Sequence, residues 1–151
     1  MNGQPKDPEE DGRFVLKEHS ESGLVLPDEE QRNAKDENKK NERLSKTLNA
    51  LKSSLDKADE LSSLGRDRFD EDWILQDAAI MVLTQLGEKV KRLPRAFTSA
   101  RPGVEWTKIA GMRDKLTHDY LDIDLELVWD ALAREVPILR PALFNELDEN
   151  S

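Results

Sequence analysis

Apolar positions are sparse over the first 43 residues and become periodic afterwards. Polar and charged runs such as 7–11 and 33–43 carry no apolar period and bury too little surface to order themselves. Two short apolar patches, 14–16 and 24–26, interrupt them across a Ser- and Gly-containing segment. A disordered polar tail over 1–43 is one reading; a marginal hairpin or a segment that docks on a partner is the other. From Leu44 the spacing changes: Leu44, Leu48, Leu51, Leu55, Ala58, Leu61 and Leu64 recur at steps of three and four, the stripe of an amphipathic helix that Gly65 can stop.

A second helix is predicted from about Asp70–Asp72, acidic residues suited to a helix start, to Pro94. It carries Trp73, Ile74, Ala78, Met81, Val82, Leu86, Val90 and Leu93 over a broad arc, so it is expected to be the most buried helix. Gly87 lies inside it, either to let a neighbouring helix approach or as a simply tolerated residue. Pro94–Gly103 reads as a loop. A third helix is predicted from about Glu105 to Tyr120. A fourth is expected from the N-cap Asp124, with Leu125, Val128, Trp129, Leu132 and Val136 facing inward, broken or kinked at Pro137 and Pro141. The pattern predicts an all-α, largely antiparallel four-helix bundle over 44–146, preceded by a disordered polar N-terminal tail.

Composition narrows the function classes. Hydrophobic and charged residues each make up 36% of the 151 residues, and the net charge is -9. An acidic chain lacks the footprint of a general nucleic-acid coat, although a local basic site remains compatible with it. Lys89, Lys91, Arg92, Arg95, Arg101 and Lys108 cluster in sequence, as either such a site or a solvated helix end. There is no cysteine, hence no thiolate metal site or disulfide framework, and the two histidines, His19 and His118, have no ligand spacing. No Sec-type leader and no apolar run of about 18 residues is visible, which predicts a cytoplasmic protein without a membrane span. No Gly-rich phosphate loop occurs, so neither a metal nor a cofactor is expected.

The third helix holds the candidate chemistry. At about 100° per residue, Leu116, Ile109, Tyr120, Arg113, Trp106, Thr117 and Ala110 share one face, with Arg113 near its middle. An arginine there either pairs with a carboxylate such as Glu88 or Asp77, or holds an anion such as a phosphate. His118 lies about 140° round from Arg113, so one straight helix does not aim both at one point. Convergence requires the helix to end or distort near Thr117, or a second copy to face the first across a two-fold axis. Taken alone, His118 reads as a helix C-terminal residue and Tyr120 as a core or interface aromatic.

The wording Arg113-Asp-Lys-Leu-Thr-His118-Asp-Tyr120 resembles the Arg-x4-His-x-Tyr signature of the HepT family in the HEPN superfamily. Residues 74–80, 86–88, 102–113, 121–129 and 136–137 are similar to its other segments, so the resemblance covers about 44–142. It implies a homodimeric four-helix HEPN fold that cleaves RNA without a metal. Arg113 would stabilise charge on the phosphate, His118 would act as general acid/base on the ribose 2′-hydroxyl, and Asp114 would orient the pair. It further implies a toxin of a type VII toxin–antitoxin pair, silenced when a nucleotidyltransferase of the MntA type places AMP on Tyr120. A non-catalytic HEPN module that only binds such a partner or a nucleotide is the alternative, and a coiled-coil adaptor built on the leucine stripe a more distant one.

Overall fold

The computed structural model describes residues 27–149, except the side chains of Tyr120 and of 145–149. The patches at 14–16 and 24–26 and His19 lie outside the described residues. In chain order the elements are α1 (Pro27–Ser63), α2 (Arg66–Glu71), α3 (Trp73–Lys91), α4 (Arg95–Ser99) and α5 (Trp106–His118). A 3-10 turn (Tyr120–Asp122), α6 (Leu125–Asp130), a π turn (Ala131–Glu135) and α7 (Val136–Glu149) follow. No strand occurs among the described residues, and none of their helices is long and apolar enough to cross a membrane. The expected all-α bundle is what forms.

The chain divides into two units after Asn41. In the first, residues 27–41 are helical and exposed throughout. The first helix therefore starts at Pro27 and not at Leu44, so the described part of the polar stretch, from residue 27, is helix. Pro27 supplies a pre-set φ at the helix start, and Asp28, Glu29 and Glu30 complement the positive end of the helix. The stretch is helical by local preference, without the apolar stripe that makes a helix visible as a period.

In the second unit, Leu48, Leu51, Leu55 and Ala58 of α1 are buried. They share one core with Val82, Leu83, Leu86 and Val90 of α3, Val128 of α6, Leu132 of the π turn, and Leu139 and Leu143 of α7. Gly65 ends the first stripe as expected, with φ +91°, a conformation glycine tolerates best. It is followed by a helix the sequence did not announce, α2, whose Phe69 is buried and stacks at 5.2 Å on Trp129. Asp72 caps α3, its Oδ1 accepting from the Ile74 N–H at 2.9 Å, and Asp124 caps α6 in the same way through Glu126.

Three expectations need correction. α3 is buried along Ala79, Val82, Leu83, Leu86 and Val90, but Trp73, Ile74 and Met81 lie off that arc and are more than half exposed. The segment 94–103 is not all loop: α4 forms inside it, and Trp106 Nε1 donates to the carbonyls of Thr98 and Arg101 at 3.0 and 3.2 Å, closing the connection. Pro137 and Pro141 do not break the last helix. The π turn precedes them, with Val136 N–H reaching back five residues to the Ala131 carbonyl. Pro137 thus enters where the ladder is already shifted, and its missing donor costs less there.

Candidate active site on α3 and α5

The site starts from a glycine. A Cβ on Gly87 would sit 2.3 Å from Arg113 Cβ and 3.3 Å from the Ile109 carbonyl oxygen. Gly87 therefore has the packing reason that the sequence left open: it lets α5 lie against α3 with Arg113 directly over it. Arg113 is three-quarters buried, and its guanidinium turns along α3 to Glu88, Nη2 to Oε2 at 3.0 Å. Of the two carboxylates anticipated as partners, Glu88 is the one used. Nη1 donates to Asp114 Oδ1, also at 3.0 Å.

Asp114 accepts from a second cation, Lys91 Nζ, across the two helices. Those two hydrogen bonds, Lys91 first and Arg113 second, hold the Asp114 carboxyl below its ordinary pKa. Glu88 also faces Arg92 at 4.0 Å. The result is a line of alternating charge, Lys91–Asp114–Arg113–Glu88–Arg92, along the α3–α5 seam, with one more cation than anion. Lys89 points the other way. It donates to Ser54 Oγ at 2.7 Å and the Ala50 carbonyl at 3.2 Å of α1, and burial lowers its pKa. The basic cluster seen in sequence is thus split: Lys91 and Arg92 face the seam, Lys89 pins α1, Lys108 pairs with Glu135 at 3.0 Å, and Arg101 lies over the Phe97 ring at 3.6 Å.

α5 runs unbroken to His118, and the Asp119 N–H closes it on the Lys115 carbonyl. His118 is exposed and has no hydrogen-bond or ion-pair partner among the described residues. Arg113 faces α3, whereas His118 sits in the last turn of a helix that does not distort to bring it round. Within one chain the structure does not join the two. Tyr120 opens the 3-10 turn, but its side chain lies outside the described residues. No group of three acidic or histidine side chains is placed to hold a metal among the described residues.

The sequence profile of the family described as "Ribonuclease HepT-like" matches residues 51–144, which include the whole α3–α5 seam and the motif. The chain belongs to the HepT-like family. It is 39% identical over 71 residues to "Putative RNase TTE0752" of Caldanaerobacter subterraneus, covering 47% of this chain and 63% of that protein. It is 42% identical over 71 residues to "Putative RNase MJ0127" of Methanocaldococcus jannaschii, covering 47% and 59%. With "Probable ribonuclease HepT" of Thermococcus cleftensis it shares 35% over 65 residues, covering 43% and 59%. The matched region thus spans about 60% of the length of these relatives. No solved structure matches the chain at a significant level. This HepT-like chain carries its motif arginine inside the helical seam and its motif histidine at the open end of the same helix.

Proposed function

We propose that this chain is a metal-independent endoribonuclease whose site is completed by a second copy. Arg113, held on α5 over Gly87 between Glu88 and Asp114, is the observation that carries the reading. A guanidinium with a fixed fork is suited to the non-bridging oxygens of a phosphodiester as charge builds on them. His118, exposed and without a partner among the described residues, is free to take the proton of a ribose 2′-hydroxyl. The 2′-oxygen then attacks the adjacent phosphorus, the 5′-oxygen leaves with a proton, and a 2′,3′-cyclic phosphate remains. Asp114 orients Arg113 while its own charge is balanced by Lys91. The relatives' names, which carry RNase or ribonuclease, support RNA as the substrate. The wider resemblance supports a type VII toxin silenced by a nucleotidyltransferase of the MntA type that adds AMP to Tyr120, and a cytoplasmic place of action.

One observation favours the alternative, a non-catalytic partner of a nucleotidyltransferase: the Arg113 guanidinium is already engaged by two carboxylates. The test is cleavage of mixed RNA in EDTA by protein whose intact mass shows no added AMP. Cleavage that is lost in both Arg113→Ala and His118→Ala supports the ribonuclease. An unmodified protein that leaves RNA intact rejects it in favour of the binding module.

A further inference from the structure

On the side of α5 turned away from Arg113, a cleft of about 380 Å³ opens between α5, the 3-10 turn and α6. Its floor is apolar, with buried Leu83, Leu116, Val128 and Ala131. Met112 and Ile123 are partly exposed in its walls, and Leu127, half exposed, forms a lip. Its rim carries Asp119, Asp122, Asp124, Asp130 and Glu135 against Lys108 and Lys115. Three of these acids are engaged: Asp124 caps α6, Asp130 faces Arg134 at 3.7 Å, and Glu135 pairs with Lys108. Asp119 and Asp122 have no cationic partner among the described residues. They bracket the turn that carries Tyr120. The carbonyl end of α5 opens beside them and adds negative potential.

Gly111 is the second observation. It lines the cleft from the middle of α5, where glycine is a poor helix former, and a Cβ there would meet nothing within 4 Å. Gly87 is required by a close approach; Gly111 is not. What it does is keep one wall of the cleft low.

We propose that this cleft docks a basic segment of a protein partner, one large apolar side chain filling the pocket and flanking lysines or arginines meeting the acidic rim. Size and sign select this occupant. The volume is at the small end of the roughly 300–1,000 Å³ of ligand pockets, room for a side-chain anchor and not for a whole helix. An RNA phosphate would face an excess of carboxylates, whereas a basic segment is steered towards them. The proposal does not depend on the ribonuclease reading, since the cleft contains neither Arg113 nor His118.

The test is a fluorescence-anisotropy titration of the full chain with a labelled synthetic peptide that has one central Phe flanked by two Arg or Lys on each side. Two control peptides replace the Phe by Ser or the basic residues by Glu. The basic Phe peptide is expected to bind, more weakly as salt rises, with both controls weaker by roughly tenfold or more. Its amide shift changes in NMR are expected at Gly111, Met112 and Ile123. Gly111→Leu should weaken binding by roughly tenfold through occupancy of the wall, with Gly111→Ala intermediate and both variants as helical as the parent. Asp119→Asn with Asp122→Asn should weaken it and flatten its salt dependence. The proposal is overturned if the basic peptide shows no binding at about 1 mM, if the Glu or Ser peptide binds as well, or if the shifts map elsewhere. Spermine, or a short RNA, binding in the cleft as tightly as the peptide would overturn it too.

Discussion

At the scale of single residues, the site rests on a close approach that tolerates no added carbon. Gly87→Ala would raise helix preference by up to about 1 kcal/mol, but it drives a Cβ to 2.3 Å from Arg113 Cβ. Helices forced apart at a packed seam lose about 1–3 kcal/mol, so the variant is expected to be less stable in urea and to lose RNA cleavage. A variant as stable as the parent would show that the seam gives way there. Asp114 provides a pH signature. Its carboxyl is held below the ordinary value, so its contribution is present above the unfolded pKa of about 3.9 and is lost as pH falls through the lower native value. The difference in urea midpoint between the parent and Asp114→Asn is therefore expected at neutral pH and to close below about pH 4. If the difference persists in strong acid, the contact is not ionic in origin. Spacing alone put Arg113 on the inner face and named Glu88 as a possible partner. It did not reveal Lys91–Asp114, because that pair depends on the register between α3 and α5, which the contact at Gly87 sets.

At the scale of elements, legibility followed amphipathicity. The leucine stripe, the acidic helix start at Asp70–Asp72, the cap at Asp124 and the stop at Gly65 were readable because each leaves a local chemical signal. The helix over 27–43 was not, since a helix without an apolar face shows no period. Nor was α4, whose closure comes from the Trp106 indole, nor the π turn, whose five-residue hydrogen bond has no compositional mark. α2 shows how a six-residue helix is held: by Phe69, 2% exposed, and by Arg66, which pairs with Asp70 of α2 and Glu126 of α6. A helix this short has little stability of its own. Phe69→Ala is expected to cost about 3–5 kcal/mol, because it empties the contact with Trp129 and leaves α2 with its polar contacts, the Arg66 ion pairs and the Gln76 hydrogen bonds to its carbonyls. Thermal melting checks this; a loss below about 1 kcal/mol would mean that α2 is held by its charges.

At the scale of the whole molecule, the arrangement of the motif constrains how many chains make a site. Arg113 is turned into the α3–α5 seam and His118 is exposed at the end of an undistorted α5. If the two act on one phosphodiester, a symmetric partner is the simplest source of the second group, because a two-fold interface sets the same helix against itself. Trp73, Ile74 and Met81, exposed along α3, are apolar surface that a partner would cover. Mixing decides between chains. Arg113→Ala and His118→Ala are each expected to be inactive. If the Arg and His of one site come from different copies, a mixed dimer has one site with both groups intact. With half of the dimers mixed, activity should recover to roughly one quarter of the parent's after co-refolding of equal amounts. If both groups come from one copy, every site in every dimer lacks one of them, and mixing restores nothing. Recovery that follows subunit exchange would place the cleavage site between two copies of this chain. Persistent inactivity, with exchange verified by mass, would place it within one copy and require α5 to rearrange when RNA binds.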